Sequence, residues 1–181
     1  MKTICILFLM FIAVFTVNAQ KYYTNSGEIT FTSEAPMEKI VSENKQVTAM
    51  INTATKDVAF KVLIKSFKFE KQGMYDHFNR DYTESDKYPN ATFEGKITDA
   101  TDLTKSGTYN VTVEGKLTIH GVTKPVKQSG TIDVAEGKIT LKSTFNIQLS
   151  DYGIKVPSDF IKRISNTVQV NVNSVLTPYV R

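Results

Sequence analysis

Cysteine, tryptophan and histidine are scarce in this 181-residue sequence, which has one cysteine, no tryptophan and two histidines. The cysteine, Cys5, lies inside an N-terminal apolar run, so the rest of the chain offers no disulfide, thiol nucleophile or thiolate metal site. Cys5 also precedes most of that run, whereas the lipid-bearing cysteine of a lipoprotein would follow it. Stability must therefore come from a hydrophobic core, which a chain of this length can build.

Catalytic and metal-binding patterns are also missing. The sequence has no H-E-x-x-H motif, Gly-rich phosphate loop or G-x-S-x-G elbow. His77 directly follows Asp76, and adjacent residues do not share a helical face, so the two make a poor ligand pair. His120 precedes Gly121 and is expected at a hairpin corner. We therefore predict neither an enzyme nor a bound metal or cofactor.

Positive charge is present but not clustered. The chain has 22 basic and 18 acidic residues, and no run of five or more basic residues occurs. Nucleic-acid binding needs a concentrated basic footprint. The charges are therefore interpreted as a solvated surface, and no nucleic-acid partner is predicted.

One long hydrophobic run is present, from Ile4 to Val17, after the positively charged Lys2. Small residues at Val17-Asn18-Ala19 match the positions read by a signal peptidase. A membrane-spanning helix needs about twenty apolar residues, so this run predicts a cleaved signal rather than stable membrane insertion. We expect a signal peptide over residues 1–19, one domain over residues 20–181, and a periplasmic or secreted protein.

The rest of the chain mostly alternates apolar and polar residues, the pattern of antiparallel strands with one buried face. Between Gly107 and Ile119, for example, Tyr109, Val111 and Leu117 share one face. Short turns such as Ala135-Glu136-Gly137 separate the segments. The predicted strands are Glu28–Ser33, Lys45–Ile51, Asp57–Ile64, Ala91–Ile97, Gly107–Ile119, Lys124–Val134, Lys138–Leu149 and Asn166–Leu176.

The stretch between the third and fourth strands breaks this alternation. Met74, His77, Phe78 and Tyr82 recur at helical spacing, and Pro89 ends the pattern. A short helix with an apolar face, set among strands, predicts a cap over the mouth of a sheet. A second apolar connection, Phe160 to Ile164, is expected to act as another cap.

Eight one-sided strands can stack as a sandwich or close as a barrel. A barrel of this size holds its own side chains or one small ligand, and closure removes exposed edges. A transmembrane barrel would turn the apolar faces outward. The apolar caps need a hydrophobic interior, and aromatic girdles are missing from the strands, so we favour the soluble form. Gly95 and Gly115, within strands, indicate either barrel corners or a close approach to a ligand.

Three ordered motifs resemble the YceI-like polyisoprenoid-binding family. They are Met74-x-x-His77-Phe78-Asn79 with Lys87-Tyr88-Pro89-x-Ala91-Thr92-Phe93, Gly115-Lys116-Leu117-Thr118-Ile119-His120-Gly121, and Asp151-Tyr152-Gly153-Ile154. The helix departs from the Arg-rich version of better-known members, reading Tyr75-Asp76 and Asn79-Arg80 around the histidine. The resemblance implies an all-β, eight-stranded antiparallel, lipocalin-like barrel with a short capping helix between strands 3 and 4.

The resemblance further implies an exported protein that binds, transports or stores a long-chain isoprenoid or other lipid inside the barrel. The alternative is a ligand-free structural or interaction barrel whose own side chains fill the interior, and both monomeric and homodimeric states are left open. The polar head of a ligand would be oriented by His77, Arg80 or Tyr152. The expected ligand-binding residues are Phe60, Val62, Phe67, Met74, His77, Phe78, Phe93, Tyr109, Val111, Leu117, Phe145, Ile147 and Tyr152.

Overall fold

The structure, a computed structural model, describes residues 20–179, so the predicted signal peptide lies outside the described residues. Eight strands run antiparallel and close into one barrel, in which each strand pairs with its neighbours in the chain. They are β1 (Lys21–Glu34), β2 (Lys39–Asn52), β3 (Asp57–Leu63), β4 (Asn90–Ile97), β5 (Gly107–Ile119), β6 (Val122–Ala135), β7 (Lys138–Gln148) and β8 (Thr167–Pro178).

Closure is made by the pairing of β1 with β8, in which Phe31 lies opposite Val170. This confirms the predicted eight-stranded antiparallel barrel and excludes the sandwich. Because the sheet closes on itself, the first and last strands do not present the unpaired edges that an open sheet would carry.

The first two strands are longer than predicted. The sequence indicated Glu28–Ser33 and Lys45–Ile51, whereas β1 and β2 pair from Lys21↔Asn52 to Glu34↔Lys39. The ladder changes register on either side of Gly27. An irregularity of this kind breaks the period-two alternation, which is why the pattern alone shortened these strands.

A short helix connects β3 and β4, as predicted. It begins as α1 (Gln72–His77) and continues as one π-helical turn over Phe78–Tyr82. The second predicted cap, Phe160–Ile164, is not a helix: only a single 3₁₀ turn forms there, at Ser158–Phe160. Ile161 in this segment is about half exposed, at 51%. A segment whose apolar residues are this exposed gains little from packing, and packing supplies most of the stability of short helices.

One end of the barrel is closed by a packed core. Ile51, Ile139 and Leu176 are completely buried, and Leu103 from the β4–β5 connection is 2% exposed among them. These residues lie where β2, β6 and β8 end and β3 and β7 begin. The helix lies at the opposite end, between the end of β3 and the start of β4, so the barrel has a solid base and a capped mouth.

Gly95 and Gly115 lie opposite each other in the β4–β5 ladder. A Cβ at Gly95 would lie 2.5 Å from Cζ of Phe93 and 2.7 Å from the carbonyl oxygen of Glu114. The two glycines therefore permit a close approach of the strands and let the Phe93 ring fold over the backbone.

Candidate functional site: an apolar cavity under the helix

The upper half of the barrel encloses a cavity of about 700 Å³. Inward residues of β1, β3, β7 and β8 form its walls, and the helix forms its roof. Most of these side chains are aliphatic or aromatic. A volume of this size lies within the range of small-molecule binding sites, about 300–1,000 Å³.

A second chamber of about 130 Å³ lies deeper, between the main cavity and the packed base. It shares Ile29, Val62, Ala91, Leu117 and Phe145 with the main cavity, so the two adjoin across these side chains. Its lining also includes Phe60, Phe93 and Val113. Together the two chambers make an elongated apolar interior.

Four phenylalanine rings hold the helix over the cavity. Phe78, from the π-helical turn, stacks on Phe31 of β1 at 5.5 Å between ring centroids and contacts Phe67 and Phe69 at 5.7 and 4.9 Å. Phe31 also meets Phe67 edge to face at 5.3 Å. Such pairs contribute about 0.5–1.5 kcal/mol each beyond their buried area. The roof is therefore fixed mainly by this phenylalanine cluster.

Eleven of the thirteen residues predicted to bind a ligand line one or both chambers. The main cavity includes Val62, Phe67, Met74, His77, Phe78, Leu117, Phe145 and Ile147, and the inner chamber adds Phe60, Phe93 and Val111.

Tyr109 and Tyr152 line neither chamber. Tyr109 packs against the base, and its hydroxyl donates a hydrogen bond to the carbonyl oxygen of Lys105. Tyr152 is 4% exposed, and burial raises the pKa of its phenol. The left-handed Gly153 (φ 71°) does turn the chain at the mouth, but it brings Ile154 to the cavity instead of Tyr152.

The sequence-based list missed the walls contributed by β1 and β8. Ile29 and Phe31 alternate along β1, and Val168 and Val170 alternate along β8, and all four line the main cavity. Their alternation was visible in the sequence. What it did not reveal is that these two strands pair with each other and face the same chamber.

Three side chains of the helix form a charged cluster at the mouth. Arg80 donates hydrogen bonds to both carboxylate oxygens of Asp81, at 2.7 and 2.9 Å, and Nδ1 of His77 lies 2.6 Å from Oδ2 of Asp81. These contacts lower the pKa of Asp81 to about 2, and the hydrogen bond from Arg80 has the largest effect. His77 and Arg80, predicted to orient a ligand head, are thus already paired with an anion of the protein itself.

Three other cations lie at the mouth of the cavity. Lys71, Lys155 and Arg163 line the cavity, from the segment before α1 and from the β7–β8 connection. None of the three forms a salt bridge within residues 20–179. Surface charges carry no chemical signature in a single sequence, so nothing in the pattern marked these three.

His120 ties the β5–β6 corner to the segments around it. Its backbone and that of Gly121 are left-handed (φ 51° and 74°), which makes a two-residue turn at the predicted hairpin corner. Its ring nitrogens lie 2.7 Å from a carboxylate oxygen of Glu84 and 3.1 Å from the carbonyl oxygen of Tyr152. The histidine is therefore a structural link between three connections and does not face the cavity.

Residues 20–179 contain no group of three or more histidine, cysteine or acidic side chains spaced to hold a metal ion. No helix within the same residues is long and apolar enough to cross a membrane. What the upper barrel offers chemically is an apolar enclosure with a polar rim, an arrangement suited to holding a chain-like molecule by its apolar part.

The fold and the cavity define this molecule as a closed eight-stranded β-barrel with an apolar interior beneath a helical cap. The family model of the YceI-like domain matches residues 14–176, and the chain belongs to that family.

Curated relatives match over a shorter stretch. A UPF0312 protein of Pseudomonas putida is 36% identical over 84 residues, which cover 42% of this chain and 41% of the relative. A UPF0312 protein of Pseudomonas syringae is 34% identical over 86 residues, covering 44% and 42% respectively. The match thus spans less than half the length of these relatives.

Solved structures share the fold over most of its length. A polyisoprenoid-binding domain from Saccharophagus degradans superposes with a TM-score of 0.77 at 14% identity, covering 89% of this chain and 99% of its own. Burkholderia cenocepacia BcnA gives 0.68 at 19% identity, covering 83% and 96%. A YceI protein of Campylobacter jejuni gives 0.61 at 23% identity, covering 74% and 82%. At these identities the likeness establishes the fold.

Proposed function

We propose that this protein is an exported binding protein that holds a long apolar molecule, a polyisoprenoid or related lipid, inside the barrel. The observation that carries the proposal is the interior cavity of about 700 Å³, which the protein's own side chains leave unfilled. The name of the Saccharophagus degradans domain supports the ligand class.

The size of the interior sets the length of chain it can enclose. If each carbon with its hydrogens occupies about the volume of a water, ~30 Å³, the two chambers of about 700 and 130 Å³ take roughly 28 carbon groups. Each buried methylene contributes about 0.8 kcal/mol. Ten such groups would gross about 8 kcal/mol before ordering costs, which is enough for useful affinity without any reaction.

The rim would orient the ligand. An anionic head at the mouth would meet Lys71, Lys155 and Arg163, whereas Asp81 would repel it and compete for His77 and Arg80. Tail burial would therefore supply most of the affinity, and the rim cations would select the head group.

The alternative is a structural or interaction barrel that carries no ligand. The fully packed base, with Ile51, Ile139 and Leu176 completely buried, is the feature that favours it. That packing stops below the inner chamber, so it does not account for the empty upper half. We therefore rank ligand binding first.

The test is organic extraction of the purified protein followed by mass spectrometry, together with melting in the presence of added prenyl lipids. Stoichiometric lipid or a raised melting temperature is expected. Phe145→Asp should abolish co-purification, because a carboxylate facing both chambers is costly to desolvate. Asn146→Asp is the matched control, since Asn146 is the exposed neighbour on the outer face of β7. His77→Ala should change head-group preference and leave tail binding.

Circular dichroism must show both aspartate variants folded before their lipid content is compared. If the wild-type protein yields no lipid, and added prenyl lipids neither bind nor raise the melting temperature, the carrier function is wrong and the ligand-free barrel takes its place.

Export is a separate part of the proposal and rests on the N-terminal sequence. The mass of the protein isolated from outside the cytoplasm should correspond to a chain beginning at Gln20. A full-length chain that remains with the membrane would contradict export.

A further inference from the structure

The barrel wall is incomplete between β6 and β7. These strands pair only from Thr131↔Lys142 to Ala135↔Lys138, next to the packed base. Toward the mouth, β6 continues to pair with β5 up to Ile119↔Val122, and β7 continues to pair with β8 up to Gln148↔Thr167. Residues 122–130 and 143–148 thus have a strand partner on one side only, and a gap opens between them.

The gap is framed at both ends, which makes it a window in the wall. At the mouth end, Nζ of Lys124 lies 3.1 Å from a carboxylate oxygen of Asp151. At the base end, the Ser143 hydroxyl donates a 2.6 Å hydrogen bond to the carbonyl oxygen of Ser129. Pro125 lies along the β6 edge and lacks the N–H group that a ladder needs, as is typical of strand edges. A salt bridge from β6 to the turn that follows β7 therefore bounds the opening at the mouth end, and a hydrogen bond between the two strands bounds it at the base end.

Small residues occupy the base end of the window. The register Ile132↔Leu141 makes Gly130 and Ser143 the next inward pair. A Cβ at Gly130 would lie 2.6 Å from the carbonyl oxygen of Lys142, so the position takes no side chain without moving β7. The inner wall here therefore has neither a second ladder nor a bulky residue.

Cavities adjoin the window on both sides. Inside is the apolar inner chamber, and outside is a polar hollow of about 680 Å³ that includes Asp99, Asn110 and Asn173. The chamber and the hollow share seven lining residues, which are Val111, Ser129, Gly130, Thr131, Lys142, Ser143 and Val172. Along the barrel axis, by contrast, the packed base separates the inner chamber from solvent. At the window the apolar interior and the outer hollow are lined by the same residues.

We propose that this window is a side exit for the distal end of ligands longer than the two chambers can enclose, roughly 28 carbons at ~30 Å³ each. The inference rests on the proposed function and adds the length class of the ligand. Chain segments beyond the window return to solvent and add little binding energy. Affinity therefore rises with chain length until the chambers are full and then stays level. With a closed wall it would fall, because the excess chain would have to fold back or push the head out of the mouth.

The experiment uses single-cysteine variants of the full chain carrying Cys5→Ser. Ser143→Cys places a thiol at the window with little change in volume and keeps a weak S–H donor for the Ser129 carbonyl. Val113→Cys is the matched control, since Val113 lines the same chamber but lies opposite Ile97 on one side and Gln128 on the other, within complete ladders. A bulky water-soluble maleimide is expected to label Ser143→Cys at least tenfold faster than Val113→Cys in the ligand-free protein.

Two prenyl alcohols then test the exit, one of three isoprene units and one of nine. The long alcohol should slow labelling of Ser143→Cys at least tenfold, and the short alcohol should leave the labelling rate nearly unchanged. The long alcohol should also bind the wild-type protein no more weakly than the short alcohol does. Equal labelling of the two thiols without ligand overturns the window. A long alcohol that binds and leaves Ser143→Cys reactive overturns the exit and leaves the proposed function standing. If neither alcohol nor the corresponding phosphates bind at all, the proposed function itself fails.

Discussion

A phenyl ring placed inside the cavity should weaken ligand binding without weakening the fold, and Ala91 is the position for this test. Ala91 is half-buried on β4, opposite Val62 of β3, and lines both chambers. In Ala91→Phe the added ring would project into space that the wild-type protein leaves empty. Unlike most enlargements in a core, it would not require neighbouring side chains to move.

The magnitude follows from the displaced ligand. A phenyl ring takes the space of about four methylenes, and each buried methylene is worth about 0.8 kcal/mol, so the loss is about 3 kcal/mol. Since 1.4 kcal/mol corresponds to a factor of ten, the dissociation constant for a prenyl lipid should rise about 100-fold. The melting temperature should stay level or rise, because the ring buries apolar surface in a void.

Ala59→Phe is the matched control. Ala59 is exposed on the outer face of β3, between the inward residues Val58 and Phe60. The same ring there should leave lipid affinity unchanged. Titration with a fluorescent prenyl probe and differential scanning calorimetry would measure affinity and stability. If Ala91→Phe folds and binds as tightly as the wild type, the ligand does not occupy these chambers and the reasoning from cavity volume is refuted.

Three further predictions follow from single contacts. Phe78→Ala should release the helix from the phenylalanine cluster and lower the free energy of unfolding by about 2–3 kcal/mol. The helix amides should then exchange hydrogen faster while the strand amides stay protected, and an unchanged exchange rate in the helix would contradict this. In Arg80→Ala the pKa of Asp81 should rise from about 2 toward its ordinary 3.8, as followed by NMR titration, because the largest contact that lowers it is removed. Because the pKa of Asp81 is lowered in the folded state, the folded state loses stability as the pH falls from 3.8 to about 2, and this loss should be smaller in the variant. If the midpoint of the Asp81 titration does not move in Arg80→Ala, Arg80 is not the cause of the lowered pKa. Gly115→Val should disrupt the barrel, because its side chain would meet the Glu94 carbonyl across the ladder, and a variant melting like the wild type would refute that contact.

Local patterns in the sequence determined the class of the fold. Strand alternation depends on which face of a pleated backbone is buried, so residues such as Val111 and Leu117 could be assigned to one face without knowledge of their partners. The helix between β3 and β4 was predicted for the same reason, since Met74, His77 and Phe78 carry their own periodicity. The YceI-like motifs were sufficient to select the closed barrel from the two architectures that the alternation allowed.

Other features depend on pairing between distant parts of the chain and were decided only by the tertiary structure. The inward faces look alike in the sequence, yet Ile139 is packed in the base whereas Phe145, on the same strand, borders an empty chamber. Tyr152 was expected at the mouth and is buried, because Gly153 turns the chain so that Ile154 faces the cavity. The window exists because β6 and β7 stop pairing beyond Thr131 and Lys142, although both strands continue without interruption. Alternation in the sequence shows which side of a strand is buried, but it does not show over what length two neighbouring strands pair. That length of pairing determines where this barrel is open.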